Sequence, residues 1–189
     1  MFPSVWRALV GALVASLSLS AVDTANAYPD QPIKIIVTFP PGGSADIVIR
    51  ALQPALSEAL RQPIVIENRA GAGGNIGIGA VAQAAPDGYT LGVAAAGVLT
   101  VNPHLNRAAM SFDPIKDLAP VTLLAEIPFV LVSSQQSAIV SVADLIAKAK
   151  AQPQGLSIGH GGNGTAMHLT SALLAQKAGI AIQLIAYRG

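Results

Sequence analysis

The sequence contains no cysteine at all. That one absence excludes disulfides, thiolate metal sites and cysteine nucleophiles. Charge is also scarce: 11% of 189 residues are charged, and 11 basic against 10 acidic side chains leave a formal net charge of +1. A nucleic-acid binder needs a clustered basic surface, so nucleic acid is not an expected partner. Aromatic residues make up 4%, too few for a base-stacking platform or an aromatic cage. Apolar residues, in contrast, make up 52%, ample to bury a core and inconsistent with a disordered chain. The three histidines are scattered without metal-ligand spacing, so no metal and no cofactor are expected.

The start of the chain has the pattern of an export signal. Arg7 precedes an apolar stretch from Ala8 to Val22, and Ala25-Asn26-Ala27 supplies small residues at a cleavage site before Tyr28. The stretch is short for a membrane span. A secretory leader over 1–27, cut after Ala27, leaves 162 of 189 residues as an exported chain, periplasmic in a Gram-negative cell.

The rest is organised around Phe39-Pro40-Pro41-Gly42-Gly43-Ser44-Ala45-Asp46, which follows the β-branched run Ile33 to Thr38. Strand, glycine turn and helix start together make a place for an anion, because unpaired N–H groups and the helix dipole point outward there. The same residues also read as an ordinary βα turn, with Ser44 or Asp46 as the helix cap. A helix is expected over Ser44 to Leu60, with Ile47, Ala51, Leu52, Ala55, Leu56 and Ala59 as its apolar positions and Pro54 kinking or splitting it. A second strand over Pro63 to Glu67 leads into the glycine-rich loop Asn68 to Asn75 and a helix from Ile76 to Ala84. After the turn Pro86-Asp87-Gly88 comes a third strand, Tyr89 to Val93. The order β-α-β-α-β predicts a parallel sheet with helices on its faces.

Asn102-Pro103, Asp113-Pro114 and Ala119-Pro120 then break the chain into short pieces, as a crossover to a second lobe would. Strand-like runs follow at Val121 to Leu124 and Phe129 to Val132. Ser141-Val142-Ala143-Asp144 is a capping box opening a helix to Ala151, with Val142, Leu145, Ile146 and Ala149 toward the core. A short strand over Leu156 to Ile158, the turn His160 to Thr165, a helix to Ala178 and a strand over Ile182 to Ala186 complete the chain. The second lobe thus repeats the device of the first: strand, glycines, polar cap, helix. Neither turn carries Lys or Arg, so an anion would be met by amides, hydroxyls and water.

From Tyr28 to Gly189 the chain resembles the substrate-binding proteins of tripartite tricarboxylate transporters, the Bug family of periplasmic receptors. The resemblance lies in Tyr28-Pro29-Asp30-Gln31-Pro32-Ile33, in Phe39 to Asp46, in Val65-Ile66-Glu67-Asn68-Arg69-Ala70-Gly71-Ala72-Gly73-Gly74-Asn75-Ile76-Gly77, in Pro86 to Leu91, in Asn102-Pro103, and in Gly162-Asn163-Gly164-Thr165 with His168. It implies an α/β, two-lobed Venus-flytrap fold that closes on a small carboxylate (di- or tricarboxylate, acidic amino acid or aromatic acid). The receptor then hands the ligand to an integral-membrane permease. It also implies a monomer without enzymatic activity. Gly42, Gly43, Ser44 and Asp46 would form one wall and Gly162, Asn163, Gly164 and Thr165 the other, with Phe39, Pro41, Ala96 and His168 completing the candidate set. Residues 28–101 would be the first segment of domain 1 and 102–189 an incomplete domain 2. The return segment to domain 1 is lacking, so the sequence reads as C-terminally truncated. His160 stands where a small or hydroxyl residue is usual.

Single residues keep two readings. Asp46 either orients a water or an ammonium group, or is a favourable acid near a helix start. Glu67 and Arg69 read as a surface pair. Gly77-Ile78-Gly79-Ala80-Val81-Ala82 fits G-x-G-x-x-A and keeps a nucleotide-dependent Rossmann-like enzyme as an alternative, although it falls within a helical stretch. A ligand sensor presenting to a membrane kinase shares the same pocket and is the other alternative.

Overall fold

A computed structural model describes residues 28–105 and 107–187. The leader expected over 1–27 and its cut after Ala27 lie outside the described residues. No helix among those described is long and apolar enough to cross a membrane. The described residues from Gln31 onward pack as one compact unit.

Its larger sheet has three parallel strands in the order β2-β1-β3, with β1 Ile33–Val37, β2 Ile64–Asn68 and β3 Thr90–Val93. Ile33 pairs with Ile64, and Ile35 with both Ile66 and Leu91. The central strand is β-branched along its whole buried length, as a strand covered on both faces should be. Helix α1 (Ser44–Leu60) connects β1 to β2, and α2 (Asn75–Ala82) connects β2 to β3. The core under α1 joins Ile33, Ile35, Val37, Ile49 and Ile64, each contributing about 1.5–3 kcal/mol through burial. A second cluster, Ile78, Val98 and Phe112, lies under α2.

Two short helices follow, α3 (Ala96–Thr100) and α4 (Asn102–Leu105). Pro103 is accommodated in the first turn of α4, where its missing N–H has no intrahelical partner to lose. After α5 (Val142–Ala151), β4 (Ser157–His160) and β5 (Gln183–Ala186) pair in parallel and are linked by α6 (Ala166–Ala178). The caps agree with the sequence: Ser141 accepts from the Asp144 N–H at 3.1 Å, and Thr165 accepts from the His168 N–H at 3.3 Å.

Three expectations are corrected. First, α1 runs unbroken through Pro54. Its inward face is Ala45, Ile49, Leu56 and Leu60, while Ile47 and Leu52 of the expected stripe are exposed. Polar anchoring sets that rotation: Gln53 donates to the Ile64 carbonyl at 2.7 Å, and Ser57 accepts from the Ile64 N–H at 3.2 Å. Second, Val142 is exposed, leaving Leu145 and Ala149 as the buried residues of α5. Third, residues 119–134 contain no strand, and Val121, Leu123, Phe129, Val130, Leu131 and Val132 are exposed. A strand needs a neighbour for its N–H and C=O groups, and the described strands supply none there.

Candidate functional site

A cavity of about 690 Å³ opens at the carboxyl end of β1, within the size range of small-molecule sites. In an open parallel sheet this is where ligands collect, because helix starts and loop amides converge beyond the strand ends. One side is Thr38 and Phe39 with the loop Gly71–Asn75; the other is Gly161–Gly164 with His168 and Tyr187, and Asn102 and Leu105 lie between.

Each glycine loop delivers a helix start to this space. Gly71, Gly73 and Gly74 all have positive φ, and α2 begins at Asn75. Gly162 and Gly164 have positive φ, and Thr165 caps α6. The loops touch: a Cβ on Gly73 would come within 2.7 Å of the Asn163 carbonyl oxygen. Asn102, buried between them, donates to Asn75 Oδ1 at 3.0 Å. Thr38 is fully buried and donates to the Val93 carbonyl at 3.0 Å, tying β1 to β3 beneath the cavity. No Asp, Glu, Lys or Arg is among the lining residues. Donors on this wall are therefore backbone N–H groups, amides, a tyrosine and an imidazole.

Of the residues expected from the sequence, Phe39, Gly162, Asn163, Gly164 and His168 line the cavity together. Pro41, Gly42, Gly43, Ser44, Asp46, Ala96 and Thr165 are not among its lining residues. Gly43 is the N-cap of α1 and Ser44 makes no capping bond. Asp46 is buried and fully engaged: both carboxylate oxygens accept from Arg50 Nε at 2.9 Å, and the Gly42 N–H and the Asn68 amide donate at 2.9 Å each. Hydrogen bonding from Arg50, then from Gly42 and Asn68, holds this carboxyl well below the usual carboxylate range. Glu67 and Arg69 form an exposed pair, with Lys34 Nζ 3.6 Å from the same carboxylate. Thr38, Gly71–Asn75, Asn102, Leu105, Gly161 and Tyr187 line the cavity without having been named as site residues, although all five residues of Gly71–Asn75 belong to the loop already visible as glycine-rich. Among the described residues, no group of three or more His, Asp and Glu could hold a metal ion.

His168 of the opposite wall is backed by a second, buried histidine that does not itself line the cavity. His160 at the end of β4 stacks on His168 with ring centroids 4.5 Å apart. His168 is pushed below the ordinary histidine value, first by burial and then by the neighbouring His160.

Parallel sheets with two glycine-rich helix starts around one cavity define the class: the α/β fold of the two-lobed periplasmic solute-binding proteins. The solved chain of Rpa4515 from R. palustris with adipate superimposes with a TM-score of 0.81 at 34% identity, over 86% of this chain and 54% of that one. MatC (Rpa3494) from Rhodopseudomonas palustris with bound malate gives 0.78 at 30% identity, over 86% and 55%. Residues 48–189 match the family described as "Tripartite tricarboxylate transporter family receptor", TctC, and the chain belongs to that family. Protein BugT of Bordetella pertussis is 38% identical over 183 residues, covering 96% of this chain and 56% of BugT. The chain thus spans about half the length of the curated relatives it matches. Gly77–Ala82, the G-x-G-x-x-A match, lies inside α2, so it is not the strand-to-helix turn a dinucleotide needs.

Proposed function

We propose that this chain is the ligand-capturing part of a periplasmic receptor that holds a small dicarboxylate between Gly71–Asn75 and Gly161–Gly164. One observation carries the reading: two helix starts, those of α2 and α6, border a cavity whose wall has no charged side chain. N–H groups there are already oriented, and the helix dipoles favour negative charge. Adipate and malate in the related structures support the ligand class. Phe39, Gly162, Asn163, Gly164 and His168 are the contacts carried forward from the sequence, joined by Asn102 and Tyr187. Asp46 takes a different part, holding the loop after β1 through Gly42 and Arg50. Delivery to a membrane permease, export through residues 1–27 with cleavage after Ala27, and the division at 101/102 belong to the same proposal.

The test is a thermal-shift series of the purified chain with adipate, malate, citrate, glutamate and NAD. A ligand at 100 times its Kd adds about 2.7 kcal/mol, or roughly 5–11 °C for a domain of this size. Stabilisation by a dicarboxylate supports the reading. Stabilisation by NAD alone would overturn it.

A further inference from the structure

The two glycine-rich turns share a cap that differs in one chemical respect. At α1, Asp46, three positions after the N-cap Gly43, reaches back to the residue before the cap and accepts from the Gly42 N–H. At α6, His168 stands in the same position relative to the N-cap Thr165, and its Nδ1 accepts from the Gly164 N–H at 3.2 Å. This resembles the reciprocal half of a capping box displaced by one residue, onto the N–H before the N-cap, with imidazole in place of carboxylate. An imidazole nitrogen accepts only when it carries no proton. The Gly164 bond therefore fixes the neutral His168 ring as the Nε2–H tautomer, so the ring nitrogen not engaged with Gly164 is a donor on a residue that lines the cavity.

His160 fixes the other side of this arrangement. Its Nδ1 lies 3.1 Å from the Gly162 carbonyl oxygen. A carbonyl only accepts, so Nδ1 carries the hydrogen, and in the neutral ring Nε2 is then the acceptor. That Nε2 is buried and has no partner among the described residues. Two stacked rings 4.5 Å apart cannot both take a proton cheaply. β4 and β5 pack along α6, and the only ionisable side chain on either is His160. Gly97 of α3 and Gly73 approach the start of α6, and neither α3 nor Gly71–Gly74 carries an ionisable side chain, while Tyr187 follows β5 at the cavity wall. No carboxylate among the cavity-lining residues is there to stabilise an imidazolium.

We propose that His168 serves the cavity as a tautomer-locked, neutral hydrogen-bond donor, and that His160 is the positioning residue that keeps it so. The inference rests on the carboxylate-site reading above and deepens it: the ligand oxygen meets a neutral Nε2–H instead of a cation. A proton on His168 Nδ1 removes the acceptor for Gly164, places N–H against N–H, and adds positive charge at the positive end of α6. Acid therefore loosens the Gly161–Thr165 wall. The lowered pKa has the matching sign, since the folded state binds this proton less readily than the unfolded chain. The bond's contribution is present above the unfolded value of about 6.5 and is lost as pH falls from there through the depressed value.

The experiment is an NMR titration of the whole chain without ligand, reading the ring nitrogens of both histidines and the Gly164 amide from pH 8 to 5. The expected result is Nε2–H on His168, a midpoint below 6.5, and a Gly164 amide that shifts in step with it. His160→Phe keeps a stacked ring but removes the bond to the Gly162 carbonyl and the second titratable group; the His168 midpoint should rise part of the way toward 6.5, burial remaining, and the Gly164 amide should shift as the turn loses that tie. A second arm measures adipate affinity at pH 7.5 and 6.0: it should fall with acid in the unsubstituted chain, and the ratio should move to one in His168→Gln, which cannot titrate. Nδ1–H on His168, a midpoint at or above 6.5, or an His160→Phe variant indistinguishable from the parent would overturn the inference. The ring states are read without ligand, so absence of adipate binding with the tautomer intact would instead count against the carboxylate reading.

Discussion

Gly164→Ala tests whether the two glycine-rich loops are built against each other. Gly164 has a φ of +78°, and a Cβ there would land on Asn102 Oδ1. Gly179, the C-cap of α6, has a φ of +61° with nothing within 4 Å of the added atom. Both substitutions incur the left-handed penalty, about 1–2 kcal/mol, and both gain the same offset from a stiffer unfolded chain, about 0.4–1 kcal/mol. Only Gly164→Ala must also displace Asn102, which is 3% exposed and donates to Asn75 Oδ1. Leaving that buried pair unsatisfied costs about 1–3 kcal/mol more. Gly164→Ala should thus melt roughly 2–12 °C below Gly179→Ala, and its adipate affinity should drop while that of Gly179→Ala holds. Paired melting curves and calorimetric titrations read both quantities. Equal melting temperatures for the two variants would refute the packing of Asn102 between the loops.

Further outcomes concern the support around the cavity. Asp46→Asn should lower the urea midpoint at neutral pH. Because the folded pKa is depressed, the gap to the parent chain should stay level above about pH 5 and close as pH falls below about 4; a gap that ignores pH would remove the carboxylate charge from the argument. The same variant should weaken adipate and glutamate equally, since Asp46 is not a lining residue. Ile49→Ala, in the core under α1, should cost about 2–5 kcal/mol in denaturant melts. Val130→Thr, at a residue 85% exposed, should stay within about 0.5 kcal/mol.

The sequence by itself determined what local chemistry decides. Alternation of β-branched runs with helical stretches specified parallel βαβ units, because a crossover of that length cannot close an antiparallel hairpin. Ser141 with Asp144, and Thr165 ahead of α6, marked helix starts through bonds spanning three residues. The ordered motifs from Tyr28 onward pointed to the family that residues 48–189 match. Tertiary structure decided what depends on residues far apart. Periodicity alone put Ile47 and Leu52 toward the core, but the bonds by which Gln53 donates to the Ile64 carbonyl and Ser57 accepts from the Ile64 N–H rotate α1 so that Ile49 faces it. The strand-like run Phe129 to Val132 has the composition of a strand and no neighbour to pair with, so it remains without regular structure. Asp46 looked equally suited to a ligand until Arg50 and Asn68 were seen to surround it. Above all, the loop Gly71–Asn75 meets Gly161–Gly164 across a separation of about 90 residues. No local pattern encodes that meeting; it follows from the strand order β2-β1-β3 and from the fit of Asn102 between two glycine backbones.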